Sequence, residues 1–246
     1  GIAEFHTSPL ESKFNFPIES WVYMEDKING VNDMSVALDP LTFFISEIGD
    51  YPYTKLTNVQ STTRYGGMEN ASCIFYDENA ITGKNTMENL IAHEIAHQWF
   101  GNSVTEYDWD DVWLSEGFAT YFTLLFIEHQ YGREEFVRGL RSSQKRVDTF
   151  YDENPEYTIV HNNLKDMEDV TSSQTYQKGS WILHMLRGVV GTDVFWKGIQ
   201  KYYTKYKDLS ASTDDFKRIM EEVSHQNLDT FFRQWLYEPG ILTLEG

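Results

Sequence analysis

Two histidines flank a glutamate and two small apolar residues in the run His93-Glu94-Ile95-Ala96-His97. On a helix, positions four apart lie about 40° apart around the axis, so the two imidazoles project side by side and can share one small ion. Neutral imidazole nitrogen suits zinc. Glu94 points into the neighbouring sector, where it reaches a metal-activated water without being a ligand, which is the placement of a general base. A catalytic zinc takes three protein ligands and keeps a fourth position open, so a further His, Asp or Glu is needed. Glu116, in Trp113-Leu114-Ser115-Glu116-Gly117-Phe118-Ala119, is the candidate, and Thr120 one turn later is a candidate outer partner for a ligand. Each piece alone has an ordinary explanation: a helix with two surface histidines, and a first-turn acid favoured by the helix dipole.

The elements that must position these groups divide the chain in two. Up to about residue 85 the signal is β-containing: Ser20-Trp21-Val22-Tyr23 is strand-prone, and Lys55 to Asp77 reads as extended through Leu56, Val59 and Cys73-Ile74-Phe75-Tyr76, with a break at Gly66-Gly67. Asn32 to Ile48 has helical spacing, with Pro40 in its middle. From 86 onward the pattern is helical, with helices expected over 86–101, 115–131, 133–150, 175–188, 193–206, 213–225 and 228–236. This order reads as α+β, a small sheet lobe of about 1–85 and a helical lobe of about 86–246 in one domain, with the helix that bears the histidines between them.

Composition narrows the function. The 246 residues are 41% hydrophobic and 15% aromatic, which makes a globular chain with a substantial core. Twenty basic against 38 acidic side chains give a net charge of -18, which repels phosphate backbones and argues against nucleic acid as a partner. Cys73 is the only cysteine, so neither an intrachain disulfide nor a thiolate cluster can form. No apolar run is long enough to span a bilayer, and Gly1-Ile2-Ala3-Glu4-Phe5 lacks the basic and apolar regions of a signal peptide, so the compartment stays open. His6, His129, His161, His184 and His225 lack ligand spacing and read as packing or surface residues. Arg133, Arg138, Arg141, Lys145 and Arg146 read as a solvated helix face, and Asp108, Asp110 and Asp111 as loop residues.

One further segment gives the zinc pattern a more specific meaning. Gly66-Gly67-Met68-Glu69-Asn70 resembles the Gly-x-Met-Glu-Asn motif of the aminopeptidase N and leukotriene hydrolase family of gluzincins, which also has His-Glu-x-x-His followed by glutamate on a second helix. The likeness extends through Trp99-Phe100-Gly101-Asn102, Trp113 to Ala119 and Tyr176-Gln177-Lys178-Gly179, and so covers most of the chain from about 50 to 240.

The resemblance implies a thermolysin-like zincin fold and one Zn2+ per chain on His93, His97 and Glu116, with Glu94 as base. It implies that Tyr176 stabilises the oxyanion and that Glu69 binds the free α-amine of a peptide, an anion that rewards a charged N-terminus and offers an internal peptide bond nothing. Gly66, Gly67, Met68 and Asn70 belong to that substrate segment, the glycines allowing close backbone approach along an edge strand, and Tyr65 lines the pocket for the first side chain. The implied activity is removal of single amino acids from peptides with free N-termini. Rival readings on the same residues are a lipid-epoxide hydrolase that is also an aminopeptidase, a thermolysin-like endopeptidase, and a noncatalytic scaffold derived from the family. Relatives carry this domain between an N-terminal β domain and C-terminal domains, and the two ends of the chain look like those junctions. The expectation is an excised domain that binds zinc and has weak activity alone.

Overall fold

Ile18, Ser20 and Val22 alternate with Glu19, Trp21 and Tyr23, and this period of two makes a strand, β2 (Ile18–Tyr23), that buries the first set and leaves the second half-buried or exposed. In the computed structural model, which describes residues 3–160 and 171–240, β2 pairs antiparallel with β1 (Phe5–Pro9) and parallel with β3 (Leu56–Ser61). Next to β3, in parallel, lies β5 (Cys73–Asp77), and β4 (Gly67–Met68) closes the sheet as an antiparallel edge, giving the order β1-β2-β3-β5-β4. Leu56 to Gln60 are all buried, as a central strand with parallel neighbours on both sides requires. The small mixed sheet expected for the first lobe is present.

Two helices interrupt that sheet, α1 (Lys27–Ser35) and α2 (Leu38–Glu47), where the sequence spacing suggested a single helix over 32–48. The break falls before Pro40 rather than at it. Pro40 sits in the first turn of α2, where its missing N–H would have no helical acceptor in any case.

The remainder is helical: α3 (Glu88–Ala96), α4 (Trp113–Tyr131), α5 (Arg133–Glu153), α6 (Gly179–Val190), α7 (Thr192–Tyr206), α8 (Thr213–Ser224) and the short α9 (Asp229–Phe232). Two features were not legible as periodicity. Val104–Glu106 and Leu209–Ala211 form a small parallel pair, β6 and β7, and Gln174–Lys178 winds as a wider π turn directly before α6. His161 and the chain ends, Gly1-Ile2 and 241–246, lie outside the described residues. Asp111 is more than a loop residue, since its carboxylate accepts from the backbone N and hydroxyl of Thr213 at 2.9 and 2.7 Å and ties the turn before α4 to the start of α8. Arg133 and Arg138 pair with Glu128 and Glu135 on exposed helix surface, as a solvated face does. Among the described residues no helix is long and apolar enough to cross a membrane.

Helix α4 is the axis of the domain. Trp113, Leu114, Phe118, Ala119, Tyr121, Phe122, Leu125 and Phe126 are all buried, so its first turns are enclosed on every side. Phe118 sits among the rings of Phe100, Phe122, Tyr202 and Phe216, which joins α4 to the turn after α3 and to α7 and α8. On an adjoining face of α4, Gly117 meets Gly179 backbone to backbone. A Cβ at Gly117 would stand 2.9 Å from the Gly179 Cα, and one at Gly179 3.0 Å from the Gly117 Cα. Only paired glycines let α4 and the π turn approach this closely. Gly117→Ala or Gly179→Ala is therefore expected to cost about 1–3 kcal/mol of stability. Gly188→Ala, in the open interior of α6, should be neutral or slightly stabilising. Thermal and denaturant unfolding of the three variants checks this.

Candidate active site

His93 and Glu94 lie in the last turns of α3 and His97 caps its end in helical conformation, so the local geometry of one helix fixes all three. Glu116 comes from the first turn of the neighbouring α4. The side chains converge: His93 Nε2 is 3.2 Å and His97 Nε2 3.1 Å from Glu116 Oε2, and the two Nε2 atoms are 3.1 Å apart.

The protonation pattern shows what belongs between them. His97 Nδ1 lies 3.1 Å from the Phe100 carbonyl, which can only accept, so Nδ1 carries the proton. In the neutral ring Nε2 is then a bare lone pair aimed at a carboxylate oxygen and at a second imidazole nitrogen. Three electron-rich atoms pointing at one spot need a cation. A tetrahedral ion with bonds of about 2.0–2.1 Å would space its ligands by about 3.3–3.4 Å, close to the measured 3.1–3.2 Å. His93, His97 and Glu116 thus form a group able to hold a metal ion.

Without a metal ion, a proton on His97 fills that role. Burial disfavours a charged His97, but the charge and hydrogen bond of Glu116 outweigh it and lift the ring to about 10. For Glu116 burial again works against the charge, and His97 and His93 overcome it, holding the carboxyl well below the usual carboxylate range. Glu94 is raised to about 7, chiefly by burial; the two histidines oppose this and the charges of Glu69 and Glu116 add to it.

The supports around the ligands differ in part from expectation. Ser115 Oγ lies 3.1 Å from His97 Nδ1, and the Tyr176 hydroxyl donates to Glu116 Oε1 at 2.8 Å. Thr120 makes no hydrogen bond to the site among the described residues; Ser115, the Phe100 carbonyl and Tyr176 hold the outer positions instead. Gly101, at φ +116°, lies where a Cβ would strike the Ser115 hydroxyl and come within 3.1 Å of His97 Nδ1. The Gly117–Gly179 contact brings the π turn to α4 and so sets Tyr176 beside Glu116. π turns recur at functional sites.

The glycine-led segment lies on the edge strand β4, with Gly67 and Met68 opposite Tyr76 and Phe75. A Cβ at Gly67 would fall on the Glu94 carboxylate, 2.6 Å from its Cγ, so that side chain would have to move to make room. At Gly66 a Cβ would only touch Leu90 at 3.5 Å. Glu69 is half-buried, its carboxylate has no hydrogen-bond partner among the described residues, and its charge acts on Glu94, His97 and Tyr176. Asn70 and Tyr65 are exposed, Tyr65 by 68%, so neither sits in an enclosed pocket. Sequence reading missed Glu106 on β6. Its carboxyl is raised chiefly by burial and also feels His97, Glu116 and Glu69, and its Oε2 is buried without a partner. It missed Gln98 too, which is fully buried behind the zinc-type ligands.

An α+β unit whose His-x-x-x-His helix separates a small sheet from a helical lobe, with a glutamate supplied by the next long helix, is a thermolysin-like zincin. Residues 35–235 match the Peptidase family M1 domain, and the chain belongs to that family. It is 33% identical to leucine aminopeptidase 2 of Ajellomyces capsulatus over 190 residues, 72% of this chain and 30% of the relative. It is 35% identical to aminopeptidase A of Gloydius brevicauda over 193 residues, 70% of this chain and 20% of that protein. The structure of yeast LTA4 hydrolase in complex with bestatin superposes with a TM-score of 0.82 at 22% identity, covering 99% of this chain and 40% of that one. The chain thus spans less than a third of the curated relatives it matches.

The glycine geometry separates two substitutions one residue apart. Gly67→Ala should displace the Glu94 carboxylate, whereas Gly66→Ala should leave it in place. Crystal structures of both variants are the check.

Proposed function

We propose that this chain is the catalytic part of a zinc aminopeptidase that hydrolyses the first peptide bond of peptides with free N-termini and releases single amino acids. Its place in peptidase family M1 and relatives named as aminopeptidases support the reaction class. The observation that carries the exopeptidase reading is Glu69, a carboxylate with no hydrogen-bond partner among the described residues and within electrostatic reach of Glu94 and His97. The greater length of the relatives supports further domains around this one in the whole enzyme.

In this reading His93, His97 and Glu116 hold the zinc ion. The chemistry supplied by that ion when bound is Lewis acidity, which acidifies water and polarises a carbonyl. Glu94 takes the proton of the attacking water on its carboxylate and returns it to the leaving nitrogen, a task suited to a carboxyl raised to about 7. Tyr176 is raised far above its ordinary value, by burial first and by the charge and hydrogen bond of Glu116, so it keeps its proton and acts as a donor. In the structure that proton is given to Glu116 Oε1; turning it onto the oxyanion exchanges one charged acceptor for another. Glu69 holds the α-amine as an ion pair and thereby sets the scissile bond one residue from the chain end. The open side of β4 accepts the substrate backbone as an added strand beside Gly67 and Met68. Zinc, one ion per chain, and peptides with free N-termini are the cofactor and substrates. The likeness to yeast LTA4 hydrolase at 22% identity carries the fold alone, and nothing in the site favours a lipid epoxide.

Glu94→Gln should retain one zinc per chain and lose at least about 100-fold in turnover, while Glu116→Ala should lose the metal itself. A Glu94→Gln protein with full activity would remove Glu94 from the role of base. Glu69→Ala should abolish the preference for free over N-acetylated substrates; an unchanged preference would leave the amine to another group.

A further inference from the structure

Glu69 can bind an amine only if its backbone holds the carboxylate at a fixed distance from the metal group; the turn that carries it is closed by the Cys73 N–H on the Asn70 carbonyl at 2.9 Å and tied to β3 by the Thr57 N–H on the Ser72 carbonyl at 3.0 Å, but neither bond reaches the metal group. Asn70 is exposed, and Ser72 adopts a left-handed φ of 62°, a conformation that needs support in a residue with a side chain. The link to the metal group comes from the end of the metal-binding helix. Gln98, fully buried one residue after His97, donates through Nε2 to the Glu69 carbonyl at 2.9 Å and accepts at Oε1 from the Ser72 N–H at 2.8 Å. Asn102, in the turn after α3, donates through Nδ2 to the same Glu69 carbonyl at 2.6 Å. Both orientations are forced, since the carbonyl only accepts and the backbone N–H only donates. The two ends of the Glu69–Ser72 turn therefore hang on amide groups from the segment that bears His93, Glu94 and His97.

We propose that Gln98 and Asn102 form a positioning clamp for amine recognition: they register Glu69 against the metal-binding helix, and so set the length from the α-amine to the scissile carbonyl. This rests on Glu69 as the amine site. Neither residue touches substrate; each acts through the Glu69 backbone. A link to α3, in addition to the link to the sheet, ties that length to the helix that bears His93, Glu94 and His97. Because the clamp holds the backbone and leaves the carboxylate unpartnered, its loss misplaces an anion without removing it.

The test uses two chelating inhibitors on the intact protein, an α-amino hydroxamate and its N-acetyl counterpart. Both bind the metal and only the first presents an amine. For the parent, the ratio of their affinities measures amine recognition. Gln98→Met and Asn102→Ala are expected to lower that ratio by about 10- to 100-fold through weaker binding of the free-amine compound, with zinc content and the affinity of the acetylated compound unchanged. In a Glu69→Ala background, Asn102→Ala should have no further effect on the ratio. The clamp is overturned if both variants keep the ratio within about twofold of the parent, or if they weaken both compounds in parallel, which is general damage to the site. Should Gln98→Met fail to fold, the half-buried Asn102→Ala decides alone. Glu69→Ala separates the two layers: if it leaves the ratio intact the amine reading falls, and if it collapses the ratio while the clamp variants do not, only the clamp falls.

Discussion

Glu116 places a charge inside the most enclosed helix of the domain, and much of the surrounding structure answers that one fact. A buried carboxylate left alone costs several kcal/mol, and more where neighbours are aromatic and dry. Here Oε1 accepts from Tyr176 while Oε2 faces two imidazole nitrogens. The first contact exists only because Gly117 and Gly179 let two backbones meet, and the second only because α3 runs alongside α4. Gly101 then leaves room for Ser115 and the Phe100 carbonyl to orient His97. A set of local oddities, two facing glycines, a π turn and a left-handed Gly101, has a common cause in one charge that must be matched.

The parts of this arrangement legible in the sequence were those determined within one element. His93, Glu94 and His97 share a helix, so their spacing alone gives their mutual geometry. Glu116 lies on another helix, and spacing could only nominate it; its likeness to a family pattern made the choice. Thr120 was chosen by the same one-turn logic and does not hold a ligand. Spacing along a helix says which side a residue faces, not which neighbour reaches the site first, and here Ser115 and Tyr176 do. Pro40 was read as a disturbance within one helix, yet the chain breaks at Val36–Ala37 and uses the proline in a first turn, where a residue without an N–H costs least.

Tertiary contact set what remained unread. In Gly66-Gly67 the family pattern singles out the first glycine, and paired glycines by themselves suggest only a turn. In space one lies against the Glu94 carboxylate and the other against a leucine. The wide turn at Gln174–Lys178 has no periodic signature, because a π turn borrows residues that would also fit an ordinary helix. Gln98 and Asn102 carry amides whose value depends wholly on the distant carbonyl of Glu69.

In the proposed reading, the charges at the site decide what can fill it. Glu69, Glu94, Glu106 and Glu116 act on one another there, and the only cations the described residues set against them are two imidazoles that metal binding requires to be neutral. Burial first, and then repulsion, raise the Glu94 carboxyl to about 7 and also raise that of Glu106. A dication on His93, His97 and Glu116 would offset the deepest charge, while the Glu69 carboxylate has no hydrogen-bond partner among the described residues. An ammonium group offsets that last one. An acidic chain of net charge -18 draws such a group in from a distance, yet long-range attraction is indifferent to where along a substrate the charge lies. Discrimination needs a second requirement, that the ammonium meet Glu69 while a carbonyl meets Glu94, and a peptide satisfies both only through its first residue. In this reading specificity is set by a length, and that length is built from the backbone of one turn held to the end of one helix.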